Sequence, residues 1–124
     1  MRVIDSSGWI EYFTGGPLAD SYGDLLQLDE VLTPTIVVYE VYKIIRREYS
    51  EQAAMIAVAK LRATQLVELD ESLALTAAEV SLEHGLAMAD AIVYATALRE
   101  DAELVTSDAD LAGLENVIYL PKPQ

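Results

Sequence analysis

Short apolar runs alternate with longer stretches of helical periodicity along nearly the whole chain. Val3-Ile4 reads as a first strand, ended by Asp5-Ser6-Ser7-Gly8, with Ser6 or Ser7 placed to cap a helix over Trp9–Phe13. Thr14-Gly15-Gly16-Pro17 breaks the chain, and apolar residues at 18, 22, 25, 26 and 28 then have the spacing of an amphipathic helix over Leu18–Leu28. Val31-Leu32 is a second strand stopped by Thr33-Pro34, and Thr35 is the N-cap candidate of a helix running to about Arg47. Ala, Met and Leu at helical spacing predict another helix over Glu51–Thr64. Leu66–Leu69 alternates as a strand does, after which Asp70 or Ser72 caps a helix ending at His84, with Gly85 as its left-handed terminator. A helix over Ala89–Asp101, a strand at Leu104–Thr106, a turn or short helix over Asp108–Leu114 and a last strand at Val117–Tyr119 complete the pattern.

Strands alternating with helices predict an α/β fold with a mostly parallel central sheet of four to five short strands, flanked by helices on both faces. No linker, repeat or low-complexity block divides the chain, so residues 1–120 form one domain and 121–124 a C-terminal tail. At 124 residues, 52% of them hydrophobic, the chain is long enough to bury a core without disulfides or a structural metal.

Four acids sit where an acidic side chain is locally out of place. Asp5 ends the opening apolar run, Glu40 lies within Ile36-Val37-Val38-Tyr39-Glu40-Val41, Asp90 interrupts Leu86–Val93, and Asp108 closes Leu104-Val105-Thr106-Ser107. Burying a lone carboxylate costs several kcal/mol unless it is paired, hydrogen-bonded or bound to a cation. Asp5 and Asp108 fall at the carboxyl ends of strands, where open α/β sheets place their sites, and Glu40 and Asp90 approach from helices. Their convergence makes an oxygen-ligand site for a hard cation such as Mg²⁺ or Mn²⁺. Each has a blander reading as well. Asp5 can cap a helix, Glu40 can snorkel at the margin of a stripe formed by residues 36, 37, 40, 41 and 44, Asp90 suits the dipole of a first helical turn, and Asp108 suits an Asx turn.

Cys is absent and His84 is the only histidine, which excludes thiolate sites and multi-histidine zinc clusters. His84 reads as a structural residue at a helix end. No apolar run reaches the ~20 residues of a bilayer span, and the opening Met-Arg-Val-Ile-Asp turns acidic early for a secretory leader. A soluble, cytoplasmic protein without membrane partners is expected. The net charge of −13, from 21 acids against 8 bases, disfavours gripping nucleic acid with the whole surface and suits cations or a basic partner. Lys43-Arg46-Arg47 is the one basic cluster, suited to a phosphate or to a helix C-terminus.

The four acids, in order and with their neighbours, resemble the PIN domain, in particular the small VapC-type toxins of prokaryotic toxin–antitoxin pairs. The matching segments are Val3-Ile4-Asp5-Ser6-Ser7, Thr33–Val41 around Glu40, Leu86–Leu98 around Asp90, and Leu104-Val105-Thr106-Ser107-Asp108-Ala109-Asp110-Leu111. The resemblance implies a metal-dependent endoribonuclease whose acidic quartet is Asp5, Glu40, Asp90 and Asp108, with Ser6, Thr106 and Asp110 supporting ligands or waters from behind. It implies Mg²⁺ or Mn²⁺ as cofactor, RNA as substrate, a VapB-like antitoxin as partner, and a homodimer. Leu111 departs from the aromatic usual at its place and reads as a packing substitution. Two rivals remain. A phosphotransfer domain needs a lysine near its aspartates, whereas Lys60 falls within a helix and Lys122 in the tail. A non-catalytic acidic module for a basic partner needs only the surface charge.

Overall fold

The computed structural model describes residues 1–123; of the expected tail, Gln124 lies outside the described residues. Five strands, β1 (Arg2–Ile4), β2 (Val31–Pro34), β3 (Gln65–Val67), β4 (Glu103–Thr106) and β5 (Val117–Tyr119), form one sheet in the order β3-β2-β1-β4-β5. Every pairing is parallel, with Val3 opposite both Leu32 and Leu104. The central strands are covered on both sides, which is why they read as unbroken apolar runs rather than as alternation: all four residues of β2 and the last three of β4 are buried.

Six helices connect the strands: α1 (Ser6–Thr14), α2 (Ala19–Gly23), α3 (Thr35–Glu48), α4 (Glu51–Arg62), α5 (Glu71–His84) and α6 (Met88–Arg99). The chain steps outward from β1 to β2 and β3, then crosses back to β4 on the other side of β1. With right-handed crossovers this puts α1–α4 on one face and α5–α6 on the other, and it makes the β1/β4 junction the switch point of the sheet. The helix α6 packs on β1, β2 and β4 and is buried without interruption from Ala91 to Ala97. Small side chains make that possible. The core runs through both layers and includes Trp9, Tyr22, Val41, Leu61, Leu73, Val93 and Leu111.

Several boundaries differ from the sequence pattern for identifiable reasons. The first helix begins at Ser6, and its N-cap is Asp5, whose side chain makes no capping bond; the Ser7 hydroxyl turns to the Asp5 carboxylate instead. Pro34, not Thr35, is the N-cap of α3. Only Ala19–Gly23 of the expected Leu18–Leu28 helix is helical, followed by turns and a 3₁₀ turn at Leu28–Glu30. The apolar residues of that stretch still pack on the core, Leu25, Leu26 and Leu28 among them, so burial reproduced a helical spacing without a helix. Asp70 caps α5 by accepting from the Leu73 N–H at 2.8 Å, and Gly85 follows in the left-handed region at φ 68°. The ring of His84 packs edge-on against Tyr94 at 5.8 Å, in keeping with a structural histidine. No helix among the described residues is long and apolar enough to cross a membrane.

Candidate metal centre

At the switch point the carboxyl ends of β1 and β4 deliver Asp5 and Asp108, the residues after and just beyond the two strands. The side chain of Asp90 enters from the first turn of α6, on the opposite face of the sheet from α1. One carboxylate oxygen from each of Asp5, Asp90 and Asp108 lies within 4.8 Å of the others. Glu40, in the second turn of α3, stands outside that group but feels the charges of Asp5 and Asp108, with the Ser6 side chain near enough to favour its charged form. Of the four acids expected to converge, three therefore meet and the fourth lines the margin.

Asp5 is the most enclosed, only 3% exposed. The Thr106 hydroxyl donates to its Oδ2 at 2.8 Å and the Ser7 hydroxyl to the same oxygen at 3.1 Å. Thr106 Oγ1 in turn accepts the Asp108 N–H at 2.9 Å, and Ser7 Oγ accepts the Ser107 N–H at 3.0 Å. These four groups lock the ends of β1 and β4 together at the level of the carboxylates. A further support lies behind them: the hydroxyl of the buried Tyr22 meets Ser107 Oγ at 2.6 Å, and the Tyr22 ring packs so closely against Gly8 that a methyl group there would overlap it.

Asp108 has the Asx geometry expected of it, its Oδ1 accepting the Asp110 N–H at 2.9 Å. Asp110 thus contributes its backbone, and the residue itself is exposed. Leu111, at the place where an aromatic is usual, is fully buried, consistent with a packing role. Sequence reasoning gave Ser7 a role only as a cap, read Tyr22 only as an apolar position of helical spacing, and gave Ser107 no role. The only signal for Ser7 was its doubling with Ser6 after the strand, and nothing in the spacing pointed to the bond between Tyr22 and a residue 85 positions away.

The electrostatics are those of an unneutralised acidic cluster. Burial pushes the Asp5 carboxyl up, against the opposing pull of the Thr106, Ser6 and Ser7 donors. Burial, then the Asp5 charge, raises Glu40. Asp90 is pushed up to about 7 by burial, by the charges of Asp108 and Asp5, and by a hydrogen bond to Asp108 that favours its protonated form. No Lys or Arg is ion-paired to any of these carboxylates among the described residues. Lys60 lies over the Tyr12 ring and Lys122 pairs with the buried Glu11 at 3.6 Å, so neither provides the cation that a phosphotransfer site needs. An all-oxygen donor set, partly desolvated and lacking a basic partner, fits a hard divalent cation.

A family model described as the PIN domain matches residues 2–116. No curated protein is significantly similar in sequence. Among solved structures, a toxin–antitoxin complex from Klebsiella pneumoniae superposes with a TM-score of 0.81 at 24% identity, covering 95% of this chain and 96% of that one. VapC20 of Mycobacterium tuberculosis, a toxin that cleaves the sarcin–ricin loop, gives 0.75 at 18% identity over 90% and 92% of the two chains. VapBC2 of Rickettsia felis, bound to a fragment of its promoter DNA, gives 0.76 at 16% identity over 98% of each. Identities this low establish a shared fold. With the family model spanning almost the entire chain, and the strand order and acidic cluster in place, the chain belongs to the PIN-domain family.

Proposed function

We propose that the protein is a metal-dependent endoribonuclease, the toxin of a toxin–antitoxin pair, which works as a homodimer and is restrained by a VapB-like antitoxin. The observation that carries this reading is the approach of three carboxylates to within 4.8 Å with no basic side chain ion-paired to them among the described residues. Membership of the PIN family and the likeness to structures of toxin–antitoxin complexes support it. Asp5, Asp90 and Asp108 would hold Mg²⁺ or Mn²⁺. When bound, such a cation reverses the local sign so that a phosphodiester can approach, acidifies water and stabilises the departing oxygen.

The protein's own groups have separate tasks. Thr106 and Ser7 hold the Asp5 carboxylate in one rotamer through its Oδ2, and the Asp110 N–H does the same for Asp108. Glu40, its carboxyl raised by burial and by Asp5, is suited to accept the proton of the attacking water, with the Ser6 hydroxyl orienting it. Buried Thr106 and Asp5 keep bulk water from the back of the cluster.

Cleavage of total RNA by the full chain in Mg²⁺, Mn²⁺ or EDTA tests the proposal. Cutting should require the cation, and Asp5→Asn should abolish it while leaving the circular dichroism spectrum unchanged. Wild-type rates from Asp5→Asn in Mn²⁺ would remove Asp5 from the site. A wild-type chain that neither cuts RNA nor is stabilised by Mn²⁺ would instead be an acidic binding module. Sedimentation equilibrium measures the dimer.

A further inference from the structure

The 8 basic residues of this acidic chain are not spread evenly. Lys43, Arg46, Arg47 and Arg62 line a single groove of about 650 Å³ between α3 and α4, together with Tyr39 and Tyr42, over a mostly apolar surface. Lys43, Arg46 and Arg62 have no ion-pair partner among the described residues, although the chain offers 21 acids. Arg47 pairs only with its exposed neighbour Glu48. Tyr39 is 58% exposed, with Lys43 Nζ 5.6 Å from its ring centre. A smaller hollow of about 200 Å³ shares Tyr39, Lys43 and Arg47 with the groove and is also lined by Glu40.

Helix dipoles account for basic residues in the last turns of α3 and α4. They do not account for cations from both helices, and Lys43 from the middle of α3, lining one groove with two tyrosines. We propose that this groove seats the single-stranded stretch of RNA adjoining the cut, with the four cations on its phosphates and Tyr39 stacked on an unpaired base. The proposal rests on the ribonuclease reading and adds where the substrate lies. A net charge of −13 repels a polyanion over most of the surface, so phosphates settle where the local sign is reversed. An open tyrosine beside them suits a nucleobase, since every base has a π-face.

The test uses the full chain and a fluorescein-labelled 12-nucleotide oligouridylate, followed by anisotropy in EDTA. Removing one cation from the phosphates of a single strand lowers the salt slope by ~0.7, so Arg46→Gln with Arg62→Gln should lower it by ~1.4 and weaken binding about tenfold at ~0.15 M salt. Tyr39→Ala should weaken binding about tenfold with the slope unchanged. Both variants should raise KM for RNA cleavage in Mn²⁺ with kcat and the Mn²⁺-induced thermal shift unaltered. Asp5→Asn should lose cleavage yet bind the oligonucleotide at least as well as wild type, which separates failure of the groove from failure of the nuclease reading. Wild-type affinity and slope in Arg46→Gln/Arg62→Gln would overturn the proposal. So would dissociation of a dimer by that variant without loss of RNA affinity, because the groove would then join two copies. Equal displacement of the oligonucleotide by a polyglutamate peptide would also overturn it, marking a seat for an acidic protein segment.

Discussion

Replacing Asp90 by Asn should make the metal-free protein more stable and the metal-loaded protein less so. Asp90 is pushed from the ordinary 3.8 to about 7, chiefly by burial and by the charges of Asp108 and Asp5. A displacement of that size corresponds in full to ~4 kcal/mol of unfavourable charge; Asp90 is only half-buried, and solvent screening leaves ~1–2 kcal/mol. The folded-state value is the higher one, so this part of the stability is fully present below about pH 4 and is lost as pH rises through about 7. Asn carries no charge at any pH. In EDTA the variant should therefore match wild type near pH 4 and exceed it at pH 8, by roughly 4–8 °C in Tm for a chain of this length. Saturating Mn²⁺ should reverse the order. A ligand at 100 times its Kd adds ~2.7 kcal/mol to whichever protein binds it, and Asp90→Asn has lost one of three carboxylate charges. Thermal unfolding followed at 222 nm, with and without Mn²⁺ at both pH values, decides the matter. An equal gain at pH 4 and pH 8, or a variant that Mn²⁺ stabilises as much as wild type, would refute the account of Asp90 as a charge held in place for a cation.

Thr106→Val should destabilise the fold by ~1–3 kcal/mol, because the Asp108 N–H loses its partner and the buried Asp5 Oδ2 loses the shorter of its two; calorimetry should also show Mn²⁺ affinity reduced ~10–100-fold. Gly8→Ala would push a methyl group into the Tyr22 ring and should cost ~1–3 kcal/mol by denaturant titration, with RNA cleavage reduced through Ser107. Mn²⁺ affinity of the wild type, measured by calorimetry, should fall as pH drops below about 7, since Asp90 must lose its proton to act as a ligand. An affinity flat from pH 8 to pH 5 would exclude Asp90 from the ligand set.

The sequence conveyed the layered architecture because parallel strands covered on both faces are apolar without alternation, as at Val31–Pro34 and Leu104–Thr106. Asp5 and Asp90 were visible for the related reason that a carboxylate amid such runs needs explaining. The extent of α2 was not legible: a loop that buries Tyr22, Leu25 and Leu26 has the same periodicity as a helix. Thr106 was expected behind the ligands only through the family resemblance; its bond to Asp5 spans 101 positions of sequence, and spacing alone could not show it. The four-acid expectation was sharper than the geometry, which gathers Asp5, Asp90 and Asp108 and leaves Glu40 at their edge. Lys43, Arg46 and Arg47 left a phosphate seat and a helix end equally open in the sequence, and the presence of Arg62 from α4 in the same groove was not legible there.

The pairing of β1 with β4 joins the second residue of the chain to residue 103, and Asp5 meets Asp108 only through that pairing. About a hundred residues must therefore be synthesised after Asp5 before the two carboxylates can come together. The acidic cluster is therefore absent from any nascent chain in which β4 has not yet paired with β1.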